Sequence, residues 1–118
     1  MRIAVLSDIH GNLPALHTVA AHIDDWMPDH VYVNGDIINR GASPMECIEF
    51  VQEKQQNSGW NITRGNHEDF VISCRNPVVA QTSPLLDVHK CAVWTYERVY
   101  RQVDVLAAWP QQLKCIGP

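Results

Sequence analysis

The sequence predicts an α/β fold built on a parallel sheet. Three observations lead there: a continuous aliphatic run at Ile3–Leu6, two further short strand-like runs at Val31–Val33 and Trp60–Thr63, and helical patterning in every interval. The resulting order, β-α-β-α-β-α, needs crossover connections, and these place helices on the faces of a parallel sheet. With 118 residues the chain reads as a single domain, 1–118. A chain of that size buries about two-thirds of its unfolded surface in one core.

Each element has its own local reason. Ile3–Leu6 runs apolar without alternation into Ser7-Asp8, the pattern of a strand buried on both faces. Leu13, Leu16, Val19, Ala20, Ile23 and Trp26 form a helical stripe; Asn12 caps it, Pro14 sits in its first turn and Pro28 stops it. Val31–Val33 is the second strand, followed by Asn34-Gly35-Asp36. Ser43 caps the next helix, Pro44 takes its first position and Glu46 completes a capping box. Cys47, Ile48 and Val51 face one side of that helix until Asn57-Ser58-Gly59 ends it. Trp60–Thr63 is a third strand, closed by Arg64-Gly65-Asn66. Beyond it the pattern predicts a short helix at His67–Arg75, a loop at Asn76–Pro84, helices at Leu85–Tyr100 and Val103–Trp109 broken near Gln102, and a strand beginning at Leu113–Ile116.

Composition narrows the function. Nine Lys and Arg against thirteen Asp and Glu give a net charge of −4, with no run of like charges. That excludes the basic stripe on which nucleic-acid binding depends. The unbroken apolar run before Ser7-Asp8 is only the four residues Ile3–Leu6, against the roughly 7–15 of a signal peptide or about 20 of a membrane span. The expectation is a cytoplasmic protein with no membrane contact. Cys47, Cys74, Cys91 and Cys115 have no metal-site or redox spacing and read as buried, reduced thiols. The four tryptophans read as core or core-edge anchors, and His17, His22 and His30 as solvent or core residues. For Arg64 both a phosphate contact and a structural role stay open.

Chemistry concentrates where the strands end. The first strand opens into Asp8-Ile9-His10-Gly11-Asn12, the second into Asn34-Gly35-Asp36, the third into Arg64-Gly65-Asn66-His67-Glu68. In a parallel sheet the ligand crevice lies outside the carboxyl ends of the strands, so the three clusters converge. Mixed oxygen and imidazole ligation suits divalent manganese, iron or zinc. Two such ions about 3.5–4 Å apart clamp the oxygens of an in-line phosphoryl displacement. Other phosphate-handling designs are missing: there is no G-x-x-x-x-G-K-[ST] loop, and position 10 carries no second Asp for an aspartyl-phosphate enzyme.

Asp8/His10, then Gly35/Asp36, then Gly65/Asn66/His67/Glu68 match in order the D-x-H, G-D and G-N-H-[DE] pattern. On these residues the sequence resembles the calcineurin-like metallophosphoesterases, over residues 1 to about 112. Asp36-Ile37-Ile38-Asn39-Arg40-Gly41 further resembles the D-x-x-D-R-G segment of the phosphoprotein phosphatase branch, shared by diadenosine-polyphosphate hydrolases, with Asn39 in place of its aspartate. The start, Ser7 to Leu16, resembles the small prokaryotic phosphodiesterases of the same superfamily. The resemblance implies the N-terminal βαβαβα half of a four-layer α/β/β/α sandwich. It implies Asp8 and His10 on one metal, Asp36 bridging two, Asn66 on the second, and Arg40 with Asn66 on substrate phosphate. It implies His67 protonating the leaving oxygen or stabilising its charge, and Asp36 and His67 as the catalytic pair.

The implied function is a manganese-, iron- or zinc-dependent phosphatase or phosphodiesterase, in which a metal-bound hydroxide attacks a small phosphoester, a nucleotide or a phosphoprotein. The family pattern adds three histidines on a second sheet, two of them in G-H-x-H. After residue 67 this sequence has only His89, which matches neither element. A 118-residue polypeptide would then be half a sandwich with half a site, so the alternative is a catalytically impaired fragment or a non-catalytic binding module. An uncovered sheet face predicts a homodimer.

Overall fold

The computed structural model describes residues 1–76 and 86–114. Three parallel strands, β1 (Ile3–Leu6), β2 (His30–Asn34) and β3 (Asn61–Thr63), form one sheet in the order β1-β2-β3. Ile3 pairs with His30 and Leu6 with Val33; Tyr32 pairs with Asn61 and Val33 with Ile62. Helix α1 (Leu13–Trp26) connects the first two strands and α2 (Pro44–Ser58) the next two. Helices α3 (Asn66–Ser73), α4 (Leu86–Val99) and α5 (Val103–Ala108) follow, with a 3-10 turn at Tyr100–Gln102 where the sequence pattern breaks. The α/β architecture and parallel sheet are those the sequence predicts.

Among the described residues the sheet has one covered face and one open face. Val31, Val33 and Ile62 are buried, and they pack in one core with Leu16, Ala20 and Ile23 of α1 and Ile48 and Val51 of α2. On the opposite face Val5 is 65% exposed, and Ile3, Val5 and Tyr32 line a shallow groove bordered by Gln111–Leu113. This corrects the reading of Ile3–Leu6 as buried on both faces: the described helices cover one face only.

Helix ends follow their residues with one exception. Asn12 accepts from the Ala15 N–H, and Gly59 ends α2 in the left-handed conformation at φ 69°. The Ser43 side chain makes no cap bond, so the expected capping box at Ser43 and Glu46 does not form. Its backbone N–H is instead tied to the Gly11 carbonyl (3.0 Å), which holds the start of α2 against the loop after β1.

Other expectations are adjusted by packing. Val19 and Trp26 are each 42% exposed, outside the buried stripe of α1. Trp60 and Trp109 are core residues, whereas Trp26 and Trp94 are largely exposed. Cys47 and Cys74 are buried free thiols, but Cys91 is exposed. Leu113 and Lys114 are not in a strand; the remainder of that predicted strand, Cys115 included, and most of the predicted loop at 76–84 lie outside the described residues. No described helix is long and apolar enough to cross a membrane.

Candidate metal centre

Backbone hydrogen bonds fuse the loops after β1 and β2. The His10 N–H donates to the Asp36 carbonyl (3.0 Å) and the Gly11 N–H to the Ile37 carbonyl (2.9 Å). The fully buried Glu68 side chain ties the loop after β2 to the loop after β3. Its Oε1 accepts from the N–H groups of Asp36 (2.7 Å) and Gly65 (2.8 Å), and its Oε2 from Ile37 (2.9 Å) and Ile38 (3.2 Å). Burial pushes the Glu68 carboxyl up, and the backbone N–H donors oppose that rise. Gly65 has to be glycine, because a Cβ there would fall on Asp36 Oδ1 and within 2.7 Å of the Asp36 nitrogen.

The backbone is strained at this place. Among the described residues six non-glycine residues have positive φ, and five of them are Asp8 (59°), His10 (47°), Asp36 (54°), Asn39 (78°) and Arg40 (74°). Such conformations each cost on the order of 1–3 kcal/mol and cluster where a site needs fixed geometry.

The side chains that result lie close together. His10, Asp36 and His67 each offer a ligand atom within 4.8 Å of the others, and His10 Nε2 is 3.3 Å from Asp8 Oδ1. The His10 and His67 rings meet edge-on, centroids 4.6 Å apart. Asp8 is exposed and held below its ordinary value, first by the Ser7 hydroxyl (2.7 Å). Asp36 Oδ1 accepts from the His67 N–H (3.1 Å). Asn66 stands exposed at the first position of α3, and Arg40 is exposed in the loop after β2.

The two histidines are held by opposite partners. His10 Nδ1 faces the Ile38 carbonyl at 3.4 Å and its Nε2 faces the Asp8 carboxylate at 3.3 Å; both partners only accept, so a ring proton on either nitrogen meets an acceptor. A cation bound at Nε2 would leave Nδ1–H on the Ile38 carbonyl to orient the ring, as in a metal-ligating imidazole. His67 Nδ1 faces the Asn39 amide nitrogen at 3.1 Å, which donates, so the proton of the neutral ring sits on Nε2. Asn39 is itself fully buried, and its Oδ1 lies 3.2 Å from the Thr95 hydroxyl of α4, whose proton the Cys91 carbonyl at 2.9 Å shares. Burial pulls His67 below its ordinary value, which favours the neutral ring.

The donor set of two carboxylates and an imidazole, Asp8, Asp36 and His10, suits a divalent cation of the manganese, iron or zinc kind. Arg64 is structural. It pairs with Asp69 (2.6 Å) and donates to the carbonyls of Ala107 (2.7 Å) and Trp109 (3.1 Å), tying β3 to the end of α5. Sequence reasoning assigned no role to Glu68 or Thr95. Glu68 was findable, as an acidic residue next to His67 that could turn inward; Thr95 lies in a helix remote in sequence and carried no signal.

The sequence profile of the calcineurin-like phosphoesterases matches residues 1–113. An uncharacterised protein of Methanocaldococcus jannaschii is 43% identical over 70 residues, 59% of this chain and 27% of that protein. A symmetrical bis(5'-nucleosyl)-tetraphosphatase of Actinobacillus pleuropneumoniae is 29% identical over 70 residues, 58% of this chain and 25% of the enzyme. A metallophosphoesterase of Sphaerobacter thermophilus superposes on 98% of this chain with a TM-score of 0.69 and 29% identity. The matched segment spans about a quarter of each of these curated relatives, and the superposition covers 43% of the Sphaerobacter protein.

Proposed function

The chain belongs to the calcineurin-like phosphoesterase family, and on that premise we propose that its three strand-end loops supply the metal-binding and charge-stabilising groups of an enzyme hydrolysing phosphomonoesters or phosphodiesters. The observation that carries this reading is the convergence of the loops: His10, Asp36 and His67 bring ligand atoms within 4.8 Å of one another, and Asp8 lies 3.3 Å from His10. Asp8, His10, Asp36 and Asn66 would hold two divalent cations, Asp36 between them. Bound there, the cations supply acidification of water and neutralisation of phosphoryl charge.

The chain's own groups do the rest. Arg40 presents a planar fork of donors that matches two phosphate oxygens. His67 acts as a neutral hydrogen-bond donor to the leaving oxygen. Full protonation of its ring would set Nδ1–H against the Asn39 N–H, two donors face to face. Of the two roles open to His67, stabilising charge therefore fits better than transferring a proton. Substrates are phosphoesters of nucleotides, small alcohols or phosphoproteins. Three free thiols, Cys47, Cys74 and Cys91, fit a reducing compartment such as the cytoplasm, and the open sheet face fits a homodimer.

The test is hydrolysis of bis(4-nitrophenyl) phosphate in manganese by the wild type and by Asp36→Asn. The substitution keeps an oxygen for the His67 N–H but removes the bridging charge, and turnover should vanish. Equal turnover by both proteins would overturn the catalytic reading in favour of a non-catalytic binding module.

A further inference from the structure

A cleft of about 440 Å³ lies beside the metal centre, a volume suited to a small ligand. One wall is the strained loop Arg40-Gly41-Ala42, the other is α4, which contributes Lys90, Cys91 and Trp94. Lys90 and Trp94 are four residues apart and so share a helix face. The walls are mainly apolar, with the two cations, both exposed, as their charged groups. Trp94 is 38% exposed, and the Arg98 guanidinium stacks on its ring at 3.6 Å. Arg98 covers one side of the indole and is not among the residues that line the cleft, whereas Trp94 is. Arg40 joins the cleft to the centre through the chain: it follows Asn39, whose amide nitrogen lies 3.1 Å from His67 Nδ1.

A flat aromatic platform flanked by two cations recognises a ligand with a planar ring at one end and phosphate at the other. We propose that this cleft is the subsite for a nucleoside phosphate, the base stacking on Trp94 and the phosphates held by Lys90 and Arg40. The proposal rests on the phosphoesterase reading for the identity of the reacting group, and it adds what the substrate carries beyond that group. Stacking on an aromatic side chain tolerates every base, so the cleft selects for a base rather than for a particular one.

The experiment is equilibrium binding of AMP and of ribose 5-phosphate, each by competition against a fluorescent AMP analogue, in the full chain with manganese. The wild type should hold AMP at least about ten-fold tighter than ribose 5-phosphate, a margin typical of one stacked base. Trp94→Ala should erase that margin, and Trp94→Phe should restore most of it. Because Trp94 is partly exposed, its truncation leaves the core intact. Independently, AMP should slow alkylation of Cys91 in the cleft wall, and ribose 5-phosphate should not. Equal binding of the two ligands, or a margin that survives Trp94→Ala, overturns the subsite. Hydrolysis that fails in manganese while the margin persists overturns the catalytic reading and leaves the subsite standing.

Discussion

The Asn39 amide nitrogen lies 3.1 Å from His67 Nδ1, so a neutral donor stands where the related phosphatase segment has an aspartate. A carboxylate there would accept Nδ1–H and stabilise a charged ring; an amide donating to Nδ1 fixes the proton on Nε2 and disfavours the charge. The prediction is that ¹⁵N NMR of the wild type finds His67 as the Nε2–H tautomer, and that Asn39→Asp moves the proton to Nδ1 and raises the ring's pKa. An Nδ1–H tautomer in the wild type would reverse the orientation of Asn39 and remove the argument for a neutral donor.

The strand-end loops were legible in the sequence because their chemistry is local: Asp8 and His10, or Asn66 and His67, sit within a few residues of one another and directly after a strand. What joins them was not legible. Glu68 crosses to the loop after β2, and Thr95 reaches Asn39 from a helix 56 residues away. The missing Ser43 cap and the open face of β1 have the same cause. Both depend on which partner a group meets in space, and an aliphatic run or an S-x-x-E spacing carries no record of that.

Glu68 is expected to be the fold's tie between two site loops. In Glu68→Gln one of the two oxygens becomes an amide nitrogen that faces backbone N–H donors. Losing charge-assisted bonds and leaving buried donors unpaired costs about 3 kcal/mol or more. Urea unfolding should show that loss, and a change below about 0.5 kcal/mol would contradict the role.

The thiols should behave differently from one another. Burial pushes Cys47 up to about 11, while Cys91 is exposed. At neutral pH iodoacetamide should label Cys91 in the folded protein, and Cys47 only after unfolding.

The same burial makes stability fall at alkaline pH. An unfolded Cys47 ionises near its ordinary 9.0 and the folded one only near about 11, so between these values the unfolded chain binds fewer protons. Stability should drop as pH rises through that window, by at most about 1.4 kcal/mol per unit from this residue. Cys47→Ala should flatten the slope; an unchanged slope would assign it to other groups.

Manganese titration of the purified protein, followed by electron paramagnetic resonance of the free ion, tests the centre most directly. Wild type should bind manganese, Asp36→Asn and His10→Ala should each weaken binding at least about ten-fold, as removal of a ligand or its support does, and all three proteins should remain folded by circular dichroism. Binding of equal strength in wild type and both variants would contradict a metal centre built from the three strand-end loops.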